Sequence, residues 1–168
     1  MLDRFYPGDT AASTYDIDFE ALYKSGKRGI LFDIDNTLVE HDADSDERSE
    51  NLFAMLHQIG FKTCLISNND EERVKRFNKN IGTDYVYKAG KPSGRGYLKG
   101  VKMMGIRPEE AVFIGDQLFT DIYGANRAGI DCICVKPIAK HEEIQIVLKR
   151  KLEKIVYAFY RRHKRKEN

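Results

Sequence analysis

A chain of 168 residues, 42% hydrophobic and 32% charged, is long enough to bury the core of one domain and is not composed like a disordered or fibrous protein. No stretch is apolar for long enough to cross a bilayer, and the opening MLDRFYPGDTAAS lacks an apolar core and a cleavage pattern, so no signal peptide and a cytoplasmic location are expected. Three cysteines without metal-ligand spacing leave no disulfide framework or zinc site to expect, and the net charge of +2 is small.

Strand-like and helical runs then alternate. GILFD, Gly29 to Asp33, reads as the first strand. SDERSENLFAMLHQIG reads as a helix, with Ser45 or Asp46 as N-cap, Leu52, Phe53, Leu56 and Ile59 at helical spacing, and Gly60 just past its end. KTCLISN is the second strand. DEERVKRFNKNIG is the second helix, opening with acids and closing at Gly82. DYVYK, AVFIGD and CICVK supply three more strands, separated by the helical runs SGRGYLKGVKMMG and LFTDIYGANRAG. A final helical segment runs from about Lys140 to His163. The pattern predicts an α/β, three-layer Rossmann-like fold: a five-stranded parallel sheet with helices on both faces.

In such sheets ligands bind beyond the carboxyl ends of the strands. Asp33, Ser67 and Asp116 each end a strand, so all three belong on one edge. An isolated acid after a strand is ordinarily a helix cap or turn former, which suits Asp70. It does not explain Asp33, Asp35, Asp116 and Asp121 arriving together. Gathered carboxylates repel, and such a cluster is best accommodated around a hard divalent cation.

The order of motifs resembles that of haloacid dehalogenase-type (HAD) phosphatases: DIDNT at Asp33–Thr37, ISN with Ser67, GKP with Lys91, and GDQLFTD with Asp116 and Asp121. The short chain and its opening resemble the YqeG-type subgroup, which is itself similar to mitochondrial phosphatidylglycerophosphate phosphatase. The resemblance implies Mg²⁺-dependent hydrolysis of a phosphomonoester. Asp33 would be the nucleophile that forms an aspartyl-phosphate, and Asp35 the acid and base. Ser67 and Asn68 would bind phosphate; Asn68 and Asn69 are each open to capping the next helix or lining the site, with capping favoured for Asn69. Lys91 would bind the phosphoryl group and hold Asp33 ionised. Mg²⁺ would sit on the Asp33 and Asp116 carboxylates and the Asp35 carbonyl. Asp121 would ligate it directly, ligate it through water, or hold Lys91. Thr37 is expected to fix the turn.

The gaps from Asp35 to Ser67 and from Ser67 to Lys91 hold one or two elements each, too little for a cap domain. A capless site of subclass III type suits a phospholipid headgroup or a macromolecule, or borrows cover from a second copy in a homo-oligomer. His41, in the short flap, reads as an exposed loop residue.

The segment Lys149–Lys166 carries nine Lys or Arg and one acid, so an acidic body bears a basic tail. Residues 1–148 read as the hydrolase core with a short N-terminal extension, and 149–168 as a basic C-terminal helix and tail. Leu148, Leu152, Ile155, Val156 and Phe159 are expected to pack on the body. The tail's charge would attract the inner face of a membrane, or RNA and ribosomes by the same physics. Two other classes of function fit parts of the pattern. A membrane- or ribosome-associated binding protein could keep the site as a vestige, but each position holds a competent residue. A phospho-accepting receiver module would need an Asp after the third strand, where this chain has none.

Overall fold

The apolar run Gly29–Phe32 (β2) is buried at every residue, as a strand covered on both faces must be. In the computed structural model it lies inside one parallel sheet of six strands, ordered β1-β6-β5-β2-β3-β4. Its companions are β1 (Asp9–Ala11), β3 (Lys62–Ile66), β4 (Asp84–Val86), β5 (Ala111–Gly115) and β6 (Asp131–Val135). The structure describes residues 3–139 and 144–167, and the side chains of 3–139 and 151–162. The expected helix start at Lys140, the side chain of Leu148 and the basic cluster beyond Arg162 lie outside those.

The sixth strand corrects the expected count of five. β1 pairs with β6 through Asp9 and Ile133 at the sheet's edge. Three residues, none of them buried, carry no periodic signal, which is why the sequence hides it.

Alternate residues of β2 feed two cores. Ile30 and Phe32 join Phe53, Leu56 and Phe77 beneath α1 (Phe19–Lys24), α2 (Glu47–Ile59) and α3 (Glu71–Asn78). Leu31 joins Tyr97, Phe113, Ala125 and Val156 beneath α4 (Gly94–Met104), α5 (Tyr123–Arg127) and α6 (Ile144–Glu167). The chain runs from β2 outward through β3 to β4, then crosses back to β5 and outward through β6. Strand order therefore reverses between β2 and β5, and a crevice opens there at the carboxyl edge.

Of the two candidate caps for α2, Asp46 is the one used. Its carboxylate accepts from Ser49 N while Ser49 Oγ accepts from Asp46 N. Gly60 closes the helix at φ 112°, a conformation that favours glycine. α3 stops at Asn78, short of Gly82, because the Asn78 amide bonds the backbone of Thr83 in both directions and bends the chain away. The run expected as one helix from Leu118 divides. Leu118–Ile122 forms a wide π-turn and only Tyr123–Arg127 is α-helical. In that turn Gln117 N donates to the Asp121 carboxylate at 3.1 Å, and π-turns of this kind recur at functional sites.

α6 overturns the expected packing. Val156 is buried together with Glu153, whereas Leu152, Ile155 and Phe159 are 53%, 56% and 48% exposed. Tyr157 donates its hydroxyl to Cys134 Sγ, and the Tyr160 ring lies 5.4 Å from that of Tyr6. The inner face of the helix is thus built from Glu153, Val156, Tyr157 and Tyr160. Of the residues expected to pack on the body, Val156 does, and Leu152, Ile155 and Phe159 face outward. The helix also runs without a break across 148 and 149.

Candidate active site

Asp33 sits on the last rung of the sheet, its N–H donating to Ile114 O at 2.9 Å across the β2–β5 crevice. The chain then turns at once. Ile34 O accepts from Thr37 N at 3.2 Å and Leu38 N at 2.9 Å, and Asn36 takes φ 63°. Asn is among the few side chains that tolerate that conformation. The turn is pinned from outside by Thr14 Oγ1, which donates to Thr37 O at 2.8 Å, and by the Tyr15 hydroxyl, which donates to Leu38 O at 2.6 Å. The turn thus gives two carboxylates only two residues apart different surroundings.

The other strand ends bring their residues to the same edge. Asp116 follows β5 and is 2% exposed, and Asp121 in the π-turn is fully buried. The loop carrying Lys91 is stitched to the end of β3: Ala89 N donates to Ser67 O, and Lys88 N to Asn69 O, both at 2.9 Å. Asn68 completes the seam, its amide accepting from Lys91 N at 2.7 Å and donating to Lys91 O at 3.2 Å. Its side chain therefore fixes the lysine loop, where phosphate binding or capping was expected. Ser67 Oγ accepts from Asn69 N at 3.1 Å, and its own proton points to no acceptor among the described residues.

At the centre Lys91 Nζ donates to Asp33 Oδ1 at 2.6 Å and to Asp121 Oδ1 at 2.7 Å. One carboxylate oxygen each of Asp33, Asp116 and Asp121 lies within 4.8 Å of the others. Thr37 Oγ1 stands between two of them, 3.5 Å from Asp33 Oδ2 and 3.3 Å from Asp116 Oδ1. Its side chain spans carboxylates, while its backbone N–H, donating to Ile34 O, fixes the turn as expected. Burial drives the Asp33 carboxyl well above the usual carboxylate range; Lys91 opposes this, and Asp121 and Asp116 add to it. Burial alone would depress Lys91, but Asp121 and Asp33 together hold it well above its ordinary value. All-oxygen donors that resist sharing their charge suit a hard divalent cation.

Asp35 stands apart from this cluster. Arg73 Nη2 reaches its Oδ1 at 2.8 Å, Asp42 N the same oxygen at 2.8 Å, and Asn69 Nδ2 its Oδ2 at 2.6 Å. Burial would raise its pKa, yet the Arg73 bond, the Asp42 N–H and the Arg73 charge outweigh that and lower it.

A family model described as haloacid dehalogenase-like hydrolase matches residues 43–129, the stretch that holds Ser67, Lys91, Asp116 and Asp121. The "Probable phosphatase YqeG" of Bacillus subtilis (strain 168) is 35% identical over 164 residues, 96% of this chain and 95% of that protein. The chain belongs to the haloacid dehalogenase-like hydrolase family. Within it, this hydrolase stands with the phosphatases. It is also 29% identical over 167 residues to "Phosphatidylglycerophosphate phosphatase 1, chloroplastic/mitochondrial" of Arabidopsis thaliana, covering 89% of this chain and 45% of that protein. A HAD-superfamily hydrolase from Ehrlichia chaffeensis shares the fold, with a TM-score of 0.54 at 17% identity over 66% of this chain and 88% of that one.

Of the two roles open to Asn69 the structure shows lining the site rather than the favoured capping, and Arg73 is a site residue the sequence reading lacked. Asn69 does not cap α3; Asp70 does, accepting from Arg73 N at 2.9 Å, which frees Asn69 for Asp35. Arg73 went unnoticed on α3, although a signal was present. A helix N-terminus favours acids, so an arginine after Asp70, Glu71 and Glu72 opposes the helix dipole and needs a local partner. Side chains in a first turn aim back toward the N-terminus, here toward the sheet edge and Asp35.

Proposed function

We propose that the protein is a Mg²⁺-dependent phosphomonoester hydrolase that works through an aspartyl-phosphate on Asp33. The observation that carries this reading is the contact of Lys91 Nζ with both Asp33 and Asp121, inside a cluster of three buried carboxylates at the crevice. Asp33 and Asp116, the Asp35 carbonyl and Asp121 are the groups that would hold the metal. When bound, Mg²⁺ supplies the positive charge that lets an anionic nucleophile approach an anionic phosphate. Of the roles open to Asp121, holding Lys91 is the one the 2.7 Å contact supports.

In the first half-reaction an Asp33 carboxylate oxygen bonds to phosphorus as the bond to the alcohol oxygen breaks. Asp35 gives that oxygen a proton. Against the effect of burial, Arg73 favours the Asp35 anion at rest, so the proton is taken up only as an incoming phosphate dianion disfavours a second negative charge beside it. Ser67 donates its hydroxyl proton to a phosphoryl oxygen, and Lys91 neutralises another as charge develops. In the second half, Asp35 takes a proton from water, whose oxygen attacks phosphorus and releases Asp33 and inorganic phosphate.

We propose phosphatidylglycerophosphate as a substrate. The similarity to the plant phosphatase supports it. So does the open architecture: between Asp35 and Lys91 the chain spends its residues on α2, β3, α3 and β4, with no inserted cap. Phosphate release should be measured from phosphatidylglycerophosphate, glycerol 3-phosphate, sugar phosphates, nucleotides and p-nitrophenyl phosphate, with Mg²⁺ and with EDTA. Turnover that persists in EDTA would remove the metal. Absence of turnover on every monoester would remove the enzyme.

A further inference from the structure

The outward stripe of α6 has no partner among the described residues. Leu152, Ile155 and Phe159 follow one another at helical spacing and are each about half exposed. Lys151 and Arg162 border the stripe, and Lys154 and Arg161 continue the charge around the helix; all four are exposed. Glu153, the one acid between 151 and 162, is buried on the opposite side, where Leu118 N donates to it at 2.9 Å. Through that bond α6 is fixed two residues from Asp116. The helix also walls a cleft of about 530 Å³ whose lining runs from Arg161 and Tyr157 to Asp116.

We infer that α6 docks the protein on an anionic lipid bilayer, its Leu152–Ile155–Phe159 stripe entering the interface and Lys151 and Arg162 lying at headgroup level. Apolar and basic residues side by side on one helix are what an interfacial helix needs. Long basic side chains extend their charge toward headgroups while their stems cover apolar surface. Among the described residues no helix is long and apolar enough to cross a bilayer, so the helix lies on the surface rather than through it. The other partners fit less well. RNA has nothing to offer Leu152 and Ile155, since bases stack on aromatic or guanidinium planes. A second copy packed through this stripe would bring Lys151 and Arg162 against their own counterparts. Because Glu153 ties α6 to Leu118, docking would hold the edge that bears Asp116 in a fixed relation to the bilayer.

The test is co-sedimentation of the full chain with vesicles of phosphatidylcholine alone and of phosphatidylcholine mixed with phosphatidylglycerol, at low and moderate salt. Binding is expected on the mixed vesicles only, and weaker as salt rises. The Ile155→Ser, Phe159→Ser double variant should lose about tenfold or more in partitioning. Lys151→Gln and Arg162→Gln should each lose about fivefold. All these side chains are exposed, so melting curves and hydrolysis of soluble p-nitrophenyl phosphate should match the parent and show the variants folded. The reading is overturned by no binding to mixed vesicles at low salt, or by binding that ignores Ile155→Ser and Phe159→Ser. It is equally overturned if sedimentation shows a dimer that those substitutions dissociate, or if RNA binds in place of vesicles. Because vesicle binding needs no turnover, a parent protein that binds lipid but hydrolyses no monoester would sink the phosphatase reading and leave this one standing.

Discussion

The edge around Asp33 and the outer face of α6 carry charge in opposite ways. At the edge each ionised side chain is held by groups from other elements: Lys91 by Asp33 and Asp121, Asp35 by Arg73, Asn69 and the flap backbone. Along α6 Lys151, Lys154, Arg161 and Arg162 stand in solvent beside exposed Leu152, Ile155 and Phe159. A network of the first kind is costly to bury and persists where its members act on one another. A face of the second kind costs the fold almost nothing and is free to meet something outside the molecule. Substitutions at the edge should therefore be severe and those on the helix face mild.

The largest effect is expected from Asp33→Asn, which removes the nucleophile and should bring turnover below detection while the melting curve stays close to the parent's. Ordinary activity in that variant would take the covalent step away from Asp33. Next, Lys91→Ala should cost roughly 100- to 1000-fold in turnover, as deletion of a well-placed charge stabiliser does. It should also cost about 3–5 kcal/mol of stability, because Asp33 and Asp121 lose the buried cation they share. Chemical denaturation measures the second effect, and a fully stable, inactive variant would make Lys91 purely catalytic.

The contrast also explains what could be read in advance. Asp33, Ser67 and Asp116 were legible because each ends an apolar strand, and a parallel sheet puts all such ends on one edge. Lys91 was legible through its motif. Arg73 and Asn69 were not, because their partner Asp35 lies 38 and 34 residues away and no periodicity links them. α6 was misread for a different reason. Periodicity finds an apolar stripe but cannot say which side it faces, and of that stripe the body here accepts Val156, together with two tyrosines and a bonded glutamate. β1 was missed because three unburied residues at an edge leave no pattern.

Arg73 sharpens the comparison. It is a positioning residue that acts through Asp35, so the effect of its removal should depend on the leaving group. Arg73→Gln should slow an alkyl monoester by roughly 10- to 100-fold, part of what a general acid supplies. It should cost p-nitrophenyl phosphate less, because its phenolate departs without a proton and only the second half, where Asp35 acts as base, would be slowed. A burst of nitrophenolate retained at the parent's rate, with an alkyl monoester slowed before the intermediate forms, is the expected signature; equal slowing of that first step on both substrates would make Arg73 merely structural.

A smaller effect concerns the metal and pH. Asp33 is pushed from 3.8 up to about 8 in the metal-free fold, chiefly by burial. The folded state then binds more protons than the unfolded chain between those values, so stability falls as pH rises through that window. A bound divalent cation favours the anion and reverses the trend. At about a hundredfold excess over its dissociation constant, Mg²⁺ should add roughly 2.7 kcal/mol. The gap between melting temperatures in Mg²⁺ and in EDTA should therefore widen from mildly acid to mildly alkaline buffer. A constant gap would mean that the ion does not rest on Asp33.

The mildest prediction sets two neighbours on α6 against each other. Val156 is 6% exposed and packs under the helix with Phe113 and Ile122 in the same core, while Ile155 is 56% exposed beside it. Val156→Ala should destabilise by about 2 kcal/mol, since the cavity left in a packed core cannot fully collapse. Ile155→Ala removes a larger side chain yet should change stability by no more than about 0.5 kcal/mol, because little of it is buried. Urea denaturation of the two variants decides the matter. A cost at Ile155 equal to that at Val156 would mean the stripe is covered by protein in solution, and the face left for a bilayer would disappear with it.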